Sequence, residues 1–302
     1  MKPSTIEVFK KHGWRIDRAI HNLLYFIYYA PYVKVAIVAT RFLTTYFSWV
    51  KPITPAAKAV FNRYHSKVLS REDTAKIFTL NKNINVISED NKKIVPYKYA
   101  TKIIFQEPEH IVVMDCPCKL ATNAPKDTIN SCLAVGKGIS TLWMEQCKKY
   151  NPRKISQGEA LELIDRLRKT GHITQAFFKV ATGGSTGVIC NCHPDTCVSL
   201  TASRLSKKIS ATLEMNANSG YSIQIDKDKC DLRADCIGVC PVGAITIKEG
   251  ALSYQKNECL GCGLCAEQCQ NHAISIYRDS EKTVPLDIDL LDNHLLNGGR
   301  TI

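Results

Sequence analysis

The chain has 302 residues, enough for two domains and for a hydrophobic core in at least one of them. Its 14 cysteines are spaced closely, as in metal-binding proteins, and not widely as in a disulfide-stapled secreted domain. No short apolar run ends in a small-residue cleavage site, so we expect no secretory signal peptide and a reducing, cytoplasmic compartment. The net charge of +12 would suit nucleic acid, but the chain has no zinc-finger His pair and no aromatic RNA-binding signature, so we expect no nucleic-acid partner.

Composition divides the chain into segments, and the pattern of elements predicts an α+β fold. The segments are a basic helical segment at 1–70, a mixed α/β cysteine-rich middle domain at 71–205, a polar linker at 206–219, a cysteine repeat at 220–278 and a tail without clear pattern at 279–302. Seven cysteines lie in the middle domain and seven in the repeat.

The N-terminal segment is strongly basic, because residues 1–70 hold eleven Lys and Arg against two acidic residues, or 11 − 2 = +9. Residues 20–50 are apolar, but Pro31, Lys34 and Arg41 interrupt the roughly 20 apolar residues that a spanning helix needs. From residue 34 onward the polar positions share one face, which predicts an amphipathic helix. Its apolar face has three alternative partners: a membrane surface, a groove on a partner subunit, or the middle domain. The first would place the protein peripherally on the inner face of the membrane.

The middle domain begins with an apolar strand at 110–115 that leads into 116-CPC-118. A helix follows at 156–171, where Ser156 and Glu159 form a capping box. A strand at 172–180, a turn at Gly183–Gly184 and a returning strand at 186–190 then carry 190-CNC-192 to one edge.

Two C-x-C pairs can place four thiolates on one metal or cluster. We predict Cys116, Cys118, Cys190 and Cys192 as the core of the site, with Cys197, Cys132 and Cys147 as substitutes or a second site. The alternatives are an iron–sulfur cluster, a tetrahedral zinc ion, or free buried cysteines, for which Cys132 and Cys147 are the candidates. His172 and His193 are interpreted as a helix-end residue and a polar loop residue, not as ligands.

The motifs CPCK, GEALELIDRLRKTGHI and VICNCHPDTC follow one another in this order. In this respect the region resembles a group of ferredoxin-fused iron–sulfur proteins of anaerobic bacteria. Those relatives have more cysteine in the last motif, where this chain has His193, Asp195 and Thr196. The resemblance implies a redox role and names no substrate.

The C-terminal region matches itself when it is shifted by 29 residues, so that Cys230, Cys236 and Cys240 fall on Cys259, Cys265 and Cys269. Each half reads as strand, cysteine loop, short helix and strand. The stretch 259-CLGCGLCAEQC-269 is the strongest single motif of the chain. The region resembles the bacterial two-cluster ferredoxin domain, with its βαβ repeat.

In that family the first three cysteines of each half bind one cluster and the fourth binds the other. The resemblance therefore implies a [4Fe-4S] cluster on Cys259, Cys262, Cys265 and Cys240. It implies a second cluster on Cys230, Cys236 and Cys269, where the fourth cysteine is replaced by Arg233.

Arg233 cannot ligate iron, because a guanidinium keeps its proton and has no lone pair to offer. Three alternatives follow for this half. It holds a [3Fe-4S] cluster, or a [4Fe-4S] cluster whose fourth iron takes Asp231, Asp235 or water, or it is empty.

These observations favour an iron–sulfur electron-transfer protein that acts as a subunit or partner of a larger, membrane-associated oxidoreductase. One alternative is an enzyme that binds its substrate at the open three-cysteine cluster. Another is a redox sensor. No acid–base pair or nucleotide-binding loop supports a dedicated catalytic site, so we assign no catalytic residues.

Overall fold

The structure is a computed structural model that describes residues 2–47, 49, 53–61, 64–97, 100, 102–179, 182, 185–210 and 213–291. The predicted turn at Gly183–Gly184 and the end of the predicted tail lie outside the described residues.

The helices are α1 (Pro3–His12), α2 (Ile16–Ile27), α3 (Tyr29–Tyr46), α4 (Ile53–Phe61), α5 (Arg71–Phe78), α6 (Asn91–Ile94), α7 (Pro117–Ala121), α8 (Lys126–Ile129), α9 (Lys137–Gln146), α10 (Gln157–Lys169), α11 (Val198–Ser206), α12 (Asp235–Gly238) and α13 (Leu264–Gln268), with a 3₁₀ turn at Lys148–Tyr150. The strands are β1 (Tyr64–Leu69), β2 (Ile84–Ile87), β3 (Lys102–Phe105), β4 (Ile111–Asp115), β5 (Asn130–Val135), β6 (Arg153–Ile155), β7 (Ile173–Lys179), β8 (Val188–Cys192), β9 (Asn216–Ala217), β10 (Tyr221–Ile225), β11 (Ile245–Lys248), β12 (Ala251–Tyr254) and β13 (Ile274–Arg278).

A seven-stranded sheet in the order β6-β4-β5-β8-β7-β1-β9 forms the centre of the molecule. Its strand pairs are antiparallel except β1 and β9, which are parallel. Cys132 of β5 lies directly opposite Cys190 of β8. The fold thus brings together two cysteines that are 58 residues apart in sequence.

Both faces of this sheet are covered, because the side chains of β4 alternate between two cores. Ile111 and Val113 join an aliphatic core that includes Ile164 of α10. Val112 and Met114 join the core on the other face. That second core also contains Cys116, Cys132, Cys147, Cys190, Cys192 and Cys197. The cysteines of the middle domain therefore gather on one side of the sheet.

The predicted elements around the cysteine motifs are confirmed. The 110–115 strand appears as β4, and the strands that lead to CNC appear as β7 and β8. Helix α10 begins after Ser156, whose side chain accepts a hydrogen bond from the Glu159 backbone N–H, while the Glu159 carboxylate accepts from the Ser156 backbone. This is the predicted capping box.

The N-terminal helices pack on the cysteine-bearing face of the sheet. Ala19, Tyr25 and Phe26 of α2 and Tyr29 and Val33 of α3 are buried in the same core as the cysteines. The inner faces of α2 and α3 therefore pack against the chain's own middle domain. This packing was the third of the three partners considered for the N-terminal segment. The opposite faces of these helices are exposed and apolar.

None of the described helices alone is long and apolar enough to cross a membrane. Helices α2 and α3 satisfy that test only when they are taken together, and they are bent by 94° at the break between them.

The segment predicted as a linker contributes a strand to the sheet. Its residue Asn216, in β9, donates hydrogen bonds from its amide to the hydroxyl of Ser66 and to the side-chain oxygen of Gln175. A buried polar side chain that satisfies its neighbours in this way is costly to remove. The segment therefore fixes the ferredoxin-like repeat to the sheet.

The first part of the tail is also ordered, because it reaches back to the middle domain. The buried Lys67 ammonium donates to the Thr283 hydroxyl and to the Val284 carbonyl, each at 2.7 Å. Leu286 and Ile288 are buried in the aliphatic core. The four predicted strands of the repeat are present as two antiparallel pairs, β10 with β13 and β11 with β12.

Candidate iron–sulfur sites

The complete cysteine set of the repeat surrounds one cavity. Cys259, Cys262 and Cys265 line it from the loop before α13 and its first turn, and Cys240 lines it from the other half. The Cys240 sulfur accepts a hydrogen bond from the Ala244 backbone N–H at 3.2 Å. The Cys259 sulfur accepts one from a neighbouring backbone N–H at 3.3 Å. Such donors stabilise negative charge on sulfur, so the set fits a [4Fe-4S] cluster.

Burial raises the pKa of the Cys262 thiol to about 12 and also raises the pKa of Cys265. Each thiol must lose its proton in order to bind iron. The binding of a cluster would therefore release protons and supply the positive charge that these buried sulfurs lack.

A buried arginine connects this site to the middle domain. Arg168 of α10 is 1 % exposed, and its guanidinium donates to the Cys262 carbonyl at 2.6 Å. The same guanidinium makes a two-nitrogen ion pair with Glu267 of α13, with distances of 2.5 and 2.8 Å. Paired charges of this kind are costly to break, because one of them would remain buried alone. The complete site is thus held against the sheet by a specific polar contact.

The incomplete set surrounds the equivalent cavity of the other half. Cys230, Cys236 and Cys269 line it together with Arg233. The Arg233 guanidinium donates to the Gln270 side chain at 2.6 Å, and the side chain is about half exposed. Gln270 stands where the repeat would have proline, so the two departures from the ferredoxin pattern contact each other.

The ligand loops of the two halves share a backbone although their sequences differ. Gly261 and Gly263 have φ values of +67° and +83°. The residues 29 positions earlier, Leu232 and Ala234, have φ values of +57° and +67°. A side chain in this region costs about 1–2 kcal/mol. The loop of the first half therefore keeps the positive φ values of a cluster-binding loop, although it lacks the glycines that adopt them without steric strain.

The middle-domain cysteines line a larger cavity of about 120 Å³. Six of them contribute to its wall: Cys116, Cys118, Cys132, Cys190, Cys192 and Cys197. They come from the loop after β4, from helix α7, from the adjacent strands β5 and β8, and from the N-cap of α11. The roof of the cavity includes Tyr25, Tyr29 and Tyr32 of the N-terminal helices.

The cavity is reached by the four predicted core ligands and by two of the predicted substitutes, Cys197 and Cys132. The Cys132 and Cys190 sulfurs are 3.5 Å apart. The place of Cys132 in the cavity follows from the pairing of β5 with β8, because no short motif contains this cysteine. Cys147 does not line the cavity, and burial raises the pKa of its thiol to about 12. It is a buried core thiol.

Two buried lysines adjoin the six sulfurs. Lys179 is 3 % exposed and donates to the Tyr29 hydroxyl, and Lys119 is 1 % exposed and donates to the Thr128 carbonyl at 2.6 Å. No carboxylate among the described residues forms an ion pair with either lysine. A buried ammonium without an anion nearby is costly. The cavity therefore fits an anionic group, such as thiolates that carry a cluster.

The spacing of the sulfurs bears on which metal fits. Four thiolates around one zinc ion, at about 2.3 Å each, would lie roughly 3.8 Å from one another. In the part of the chain that the structure describes, no three cysteine sulfurs lie within 4.8 Å of one another. The described cysteines are therefore not arranged around a single zinc ion.

The two histidines differ in their contacts. His172 is buried, and burial lowers its pKa to about 3, so the ring is neutral and bonded to the Leu167 carbonyl at 3.0 Å. This matches its interpretation as a helix-end residue. His193 lines the cavity and contacts the His172 ring, with centroids 5.1 Å apart.

Comparison with known proteins defines the class of the C-terminal region. Residues 222–270 match the 4Fe-4S dicluster domain family. The chain therefore contains a dicluster ferredoxin domain, which is an iron–sulfur electron-transfer module.

Particular relatives share this domain. The chain is 46 % identical over 55 residues to pyruvate synthase subunit PorD of Methanothermobacter marburgensis, which covers 18 % of this chain and 64 % of the relative. It is 43 % identical over 58 residues to an uncharacterised ferredoxin of Methanocaldococcus jannaschii, covering 18 % and 38 %. It is 45 % identical over 42 residues to hydrogenase-4 component A of Escherichia coli, covering 14 % and 20 %. The chain thus spans less than two thirds of the length of each of these relatives.

Proposed function

We propose that the whole chain is an electron carrier with three iron–sulfur centres, one of them in the middle domain. The observation that carries this proposal is the shared core. Cys262 of the complete ferredoxin site belongs to the same buried apolar cluster as the middle-domain cysteines. Electron transfer between centres requires short, packed distances, and this shared core supports a continuous route through the protein.

In this route the complete ferredoxin cluster lies between the other two centres. Arg168 contacts it from the middle domain, whereas the site around Arg233 lies in the other half of the repeat, where Leu232 is 42 % exposed. Electrons would enter or leave at the exposed end. They would then pass through the complete cluster to the cluster that is held by four of the six middle-domain sulfurs.

For the site around Arg233 we propose a [3Fe-4S] cluster on Cys230, Cys236 and Cys269. Asp231 is engaged by Arg233, since its carboxylate lies 3.7 Å from the guanidinium and accepts from the Arg233 backbone N–H. This contact favours a three-thiolate site over one in which Asp231 ligates a fourth iron. A nearby guanidinium also favours the reduced, more negative cluster and raises its potential.

The experiment is EPR of the anaerobically purified full chain after reduction. Two reduced clusters that lie close together broaden and split each other's signals. We expect such coupling between the complete ferredoxin cluster and the middle cluster, and we expect it to vanish in Cys116→Ser. Uncoupled signals in the wild-type protein would contradict the proposed route.

We further propose that the exposed faces of α2 and α3 dock on an anionic membrane surface. The twenty-one large apolar side chains that are exposed in the described part of the chain include fourteen between residues 6 and 49. Trp14 is fully exposed, and Ile16, Ile20 and Leu24 form a stripe along α2. An exposed apolar patch of this extent marks an interaction surface.

The charge of the segment favours lipid as the occupant. Residues 1–70 carry +9, as 11 − 2, and each cation near an anionic surface contributes about 1 kcal/mol. Apolar side chains interleaved with Lys and Arg are typical of helices that lie in the membrane interface. A docked protein could exchange electrons with a membrane-associated oxidoreductase. The relatives named as pyruvate synthase subunit PorD and hydrogenase-4 component A support an oxidoreductase as the partner.

Co-sedimentation with vesicles tests this docking. We expect binding to vesicles of mixed neutral and anionic phospholipid, loss of binding at high salt, and weaker binding of Val38→Asp/Phe42→Asp. Ile247→Asp is the matched control, because Ile247 is similarly exposed but lies in the ferredoxin domain. No binding to vesicles, or equal loss in the control, would favour a protein partner for this face.

A further inference from the structure

Another cavity, of about 440 Å³, has no cysteine among its described lining residues and no part in the proposed electron route. Its wall is formed by the N-terminal helices α1 and α2, by β3 and the end of β5, by the first turns of α9 and by the residues just before β8. A volume of this size suits a small organic molecule. The cavity is independent of the proposed clusters.

The apolar part of the wall is aliphatic. It includes Val8 of α1, Ile104 of β3, Val135 of β5 and Leu142 of α9. None of the described lining residues is aromatic, whereas sites for nucleobases commonly offer an aromatic ring on which the base stacks. The wall therefore fits an aliphatic body better than a flat heterocycle.

Three hydroxyl groups of the wall already have acceptors within the protein. The Thr182 hydroxyl donates to the Ser185 carbonyl at 2.9 Å, and the Ser185 hydroxyl donates to the Thr182 carbonyl at 2.7 Å. The Thr186 hydroxyl donates to the Ile104 carbonyl at 3.1 Å. These hydroxyl hydrogens are therefore not available to a ligand.

Two acceptors of the wall are open. Asn22 of α2 is 2 % exposed, and its side-chain oxygen has no hydrogen-bond partner among the described residues. A buried acceptor without a partner is costly, so this oxygen calls for a donor. Glu7 of α1 forms no ion pair with any described residue. The only other acidic residue between positions 1 and 70 is Asp17, which pairs with Arg15.

The first turn of α9 stabilises the Glu7 carboxylate in the cavity wall. One oxygen of this carboxylate lies 3.1 Å from the point where a Cβ at position 138 would stand, so Gly138 leaves room for its close approach. No side chain caps α9, and the dipole at its N-terminus favours a carboxylate. The cavity thus offers two oxygen acceptors, one of them charged, beside an aliphatic wall.

We propose that this cavity binds an aliphatic α-amino acid. The ammonium group of the ligand would donate to the Glu7 carboxylate and to the Asn22 oxygen, because an ammonium carries several donors and bonds most strongly to a charged acceptor. The aliphatic side chain would fill the apolar part of the cavity. The carboxylate would face Lys10, an exposed residue that also lines the cavity. This lysine favours an amino acid over a simple amine, which shares the ammonium and the aliphatic body.

Isothermal titration calorimetry of the anaerobically purified full chain tests the site, with leucine as the probe. We expect leucine to bind. Isocaproate, which is leucine without its ammonium group, should bind roughly tenfold more weakly or worse, because the two open acceptors then lack a donor. Isoamylamine, which is leucine without its carboxylate, should bind a few-fold more weakly, since an exposed lysine contributes less.

Two variants of exposed residues test the contacts without removing a buried group. Glu7→Gln should weaken leucine binding roughly tenfold or more, because the ammonium loses its charged acceptor. Lys10→Met should abolish the preference for leucine over isoamylamine. Asp17→Asn is the matched control, because it removes the other acidic residue of the segment, which does not line the cavity, and it should bind leucine like the wild-type protein.

Absence of leucine binding to the wild-type protein would overturn the proposal, and so would equal weakening in Glu7→Gln and Asp17→Asn. Equal affinity of the wild-type protein for leucine and isoamylamine would overturn the amino acid in favour of a simple amine. The iron content of these variants should equal that of the wild-type protein, because none of the three residues lines a cysteine cavity. A failure at this site is therefore distinct from a failure of the proposed clusters.

Discussion

The two halves of the ferredoxin domain have the same backbone and place charge differently around it. The complete site has two buried cysteines, is linked to the middle domain and is backed by the paired guanidinium of Arg168. The incomplete site is more exposed, and Arg233, whose side chain is about half exposed, occupies the sequence position of the missing cysteine. The comparison teaches that one repeated loop can serve two roles. In the proposed route, the complete half transfers electrons to the middle domain and the incomplete half exchanges them with an outside partner.

The largest expected effect is on the complete half. Cys262→Ser should remove the iron of one [4Fe-4S] cluster, about four atoms per chain, because serine lacks the soft thiolate that iron requires. Iron analysis and the EPR of the reduced protein would measure it. Retention of all iron in this variant would show that the assignment of Cys262 is wrong.

A comparable loss is expected in the middle domain, where two buried cysteines behave differently. Cys132→Ser should lose the iron of the middle cluster, because this sulfur lines the cavity. Cys147→Ser is the matched control and should retain it, because Cys147 lies in the core beyond the cavity wall. Equal iron content in the two variants would show that the assignment of Cys132 as a ligand is wrong.

A smaller effect should follow when the link between the complete half and the sheet is cut. Arg168→Gln leaves Glu267 without its buried partner, so we expect a loss of about 3 kcal/mol in the free energy of unfolding. Removal of this cation should also lower the potential of the complete cluster by about 60 mV, which equals 1.4 kcal/mol for one electron.

Denaturation and a potentiometric titration followed by EPR would measure these two changes. Arg71→Gln is the control. Arg71 of α5 forms an ion pair with Asp165 of α10, the helix that also carries Arg168, but this pair is more exposed. Among the described residues, Arg71 forms no hydrogen bond with a cluster ligand. This variant should leave the potential unchanged. An equal shift of the potential in both variants would show that Arg168 has no specific effect on the complete cluster.

The smallest expected change completes the incomplete half. Arg233→Cys should add one iron atom per chain, because it supplies the missing thiolate on a loop that already has the required conformation. The EPR signal of an oxidised [3Fe-4S] cluster should disappear. Arg233→Ala is the control and should keep that signal. No signal in the wild-type protein, and no gain of iron in the variant, would indicate an empty site.

The difference between regions also explains what could be predicted from the sequence. Four of the ferredoxin cysteines lie within the eleven residues of 259-CLGCGLCAEQC-269, and the other three recur 29 residues earlier, so spacing along the sequence sufficed to predict this set. The capping box of α10 is local as well and was predicted correctly. Cys132 reaches the middle cavity only because β5 pairs with β8, which is a long-range fact. The roof from α2 and α3, and the return of the tail to Lys67, depend on tertiary packing that no short pattern encodes.

The most direct test of the account is the number of metal atoms in the anaerobically purified chain, with iron, acid-labile sulfide and zinc measured together and EPR recorded before and after dithionite. Three centres, two of them [4Fe-4S] and one [3Fe-4S], predict about eleven iron atoms per chain, no zinc, and a [3Fe-4S] signal in the oxidised sample. Eight or fewer iron atoms, with zinc beside them, would contradict a third iron–sulfur centre and reduce the electron route to the ferredoxin domain.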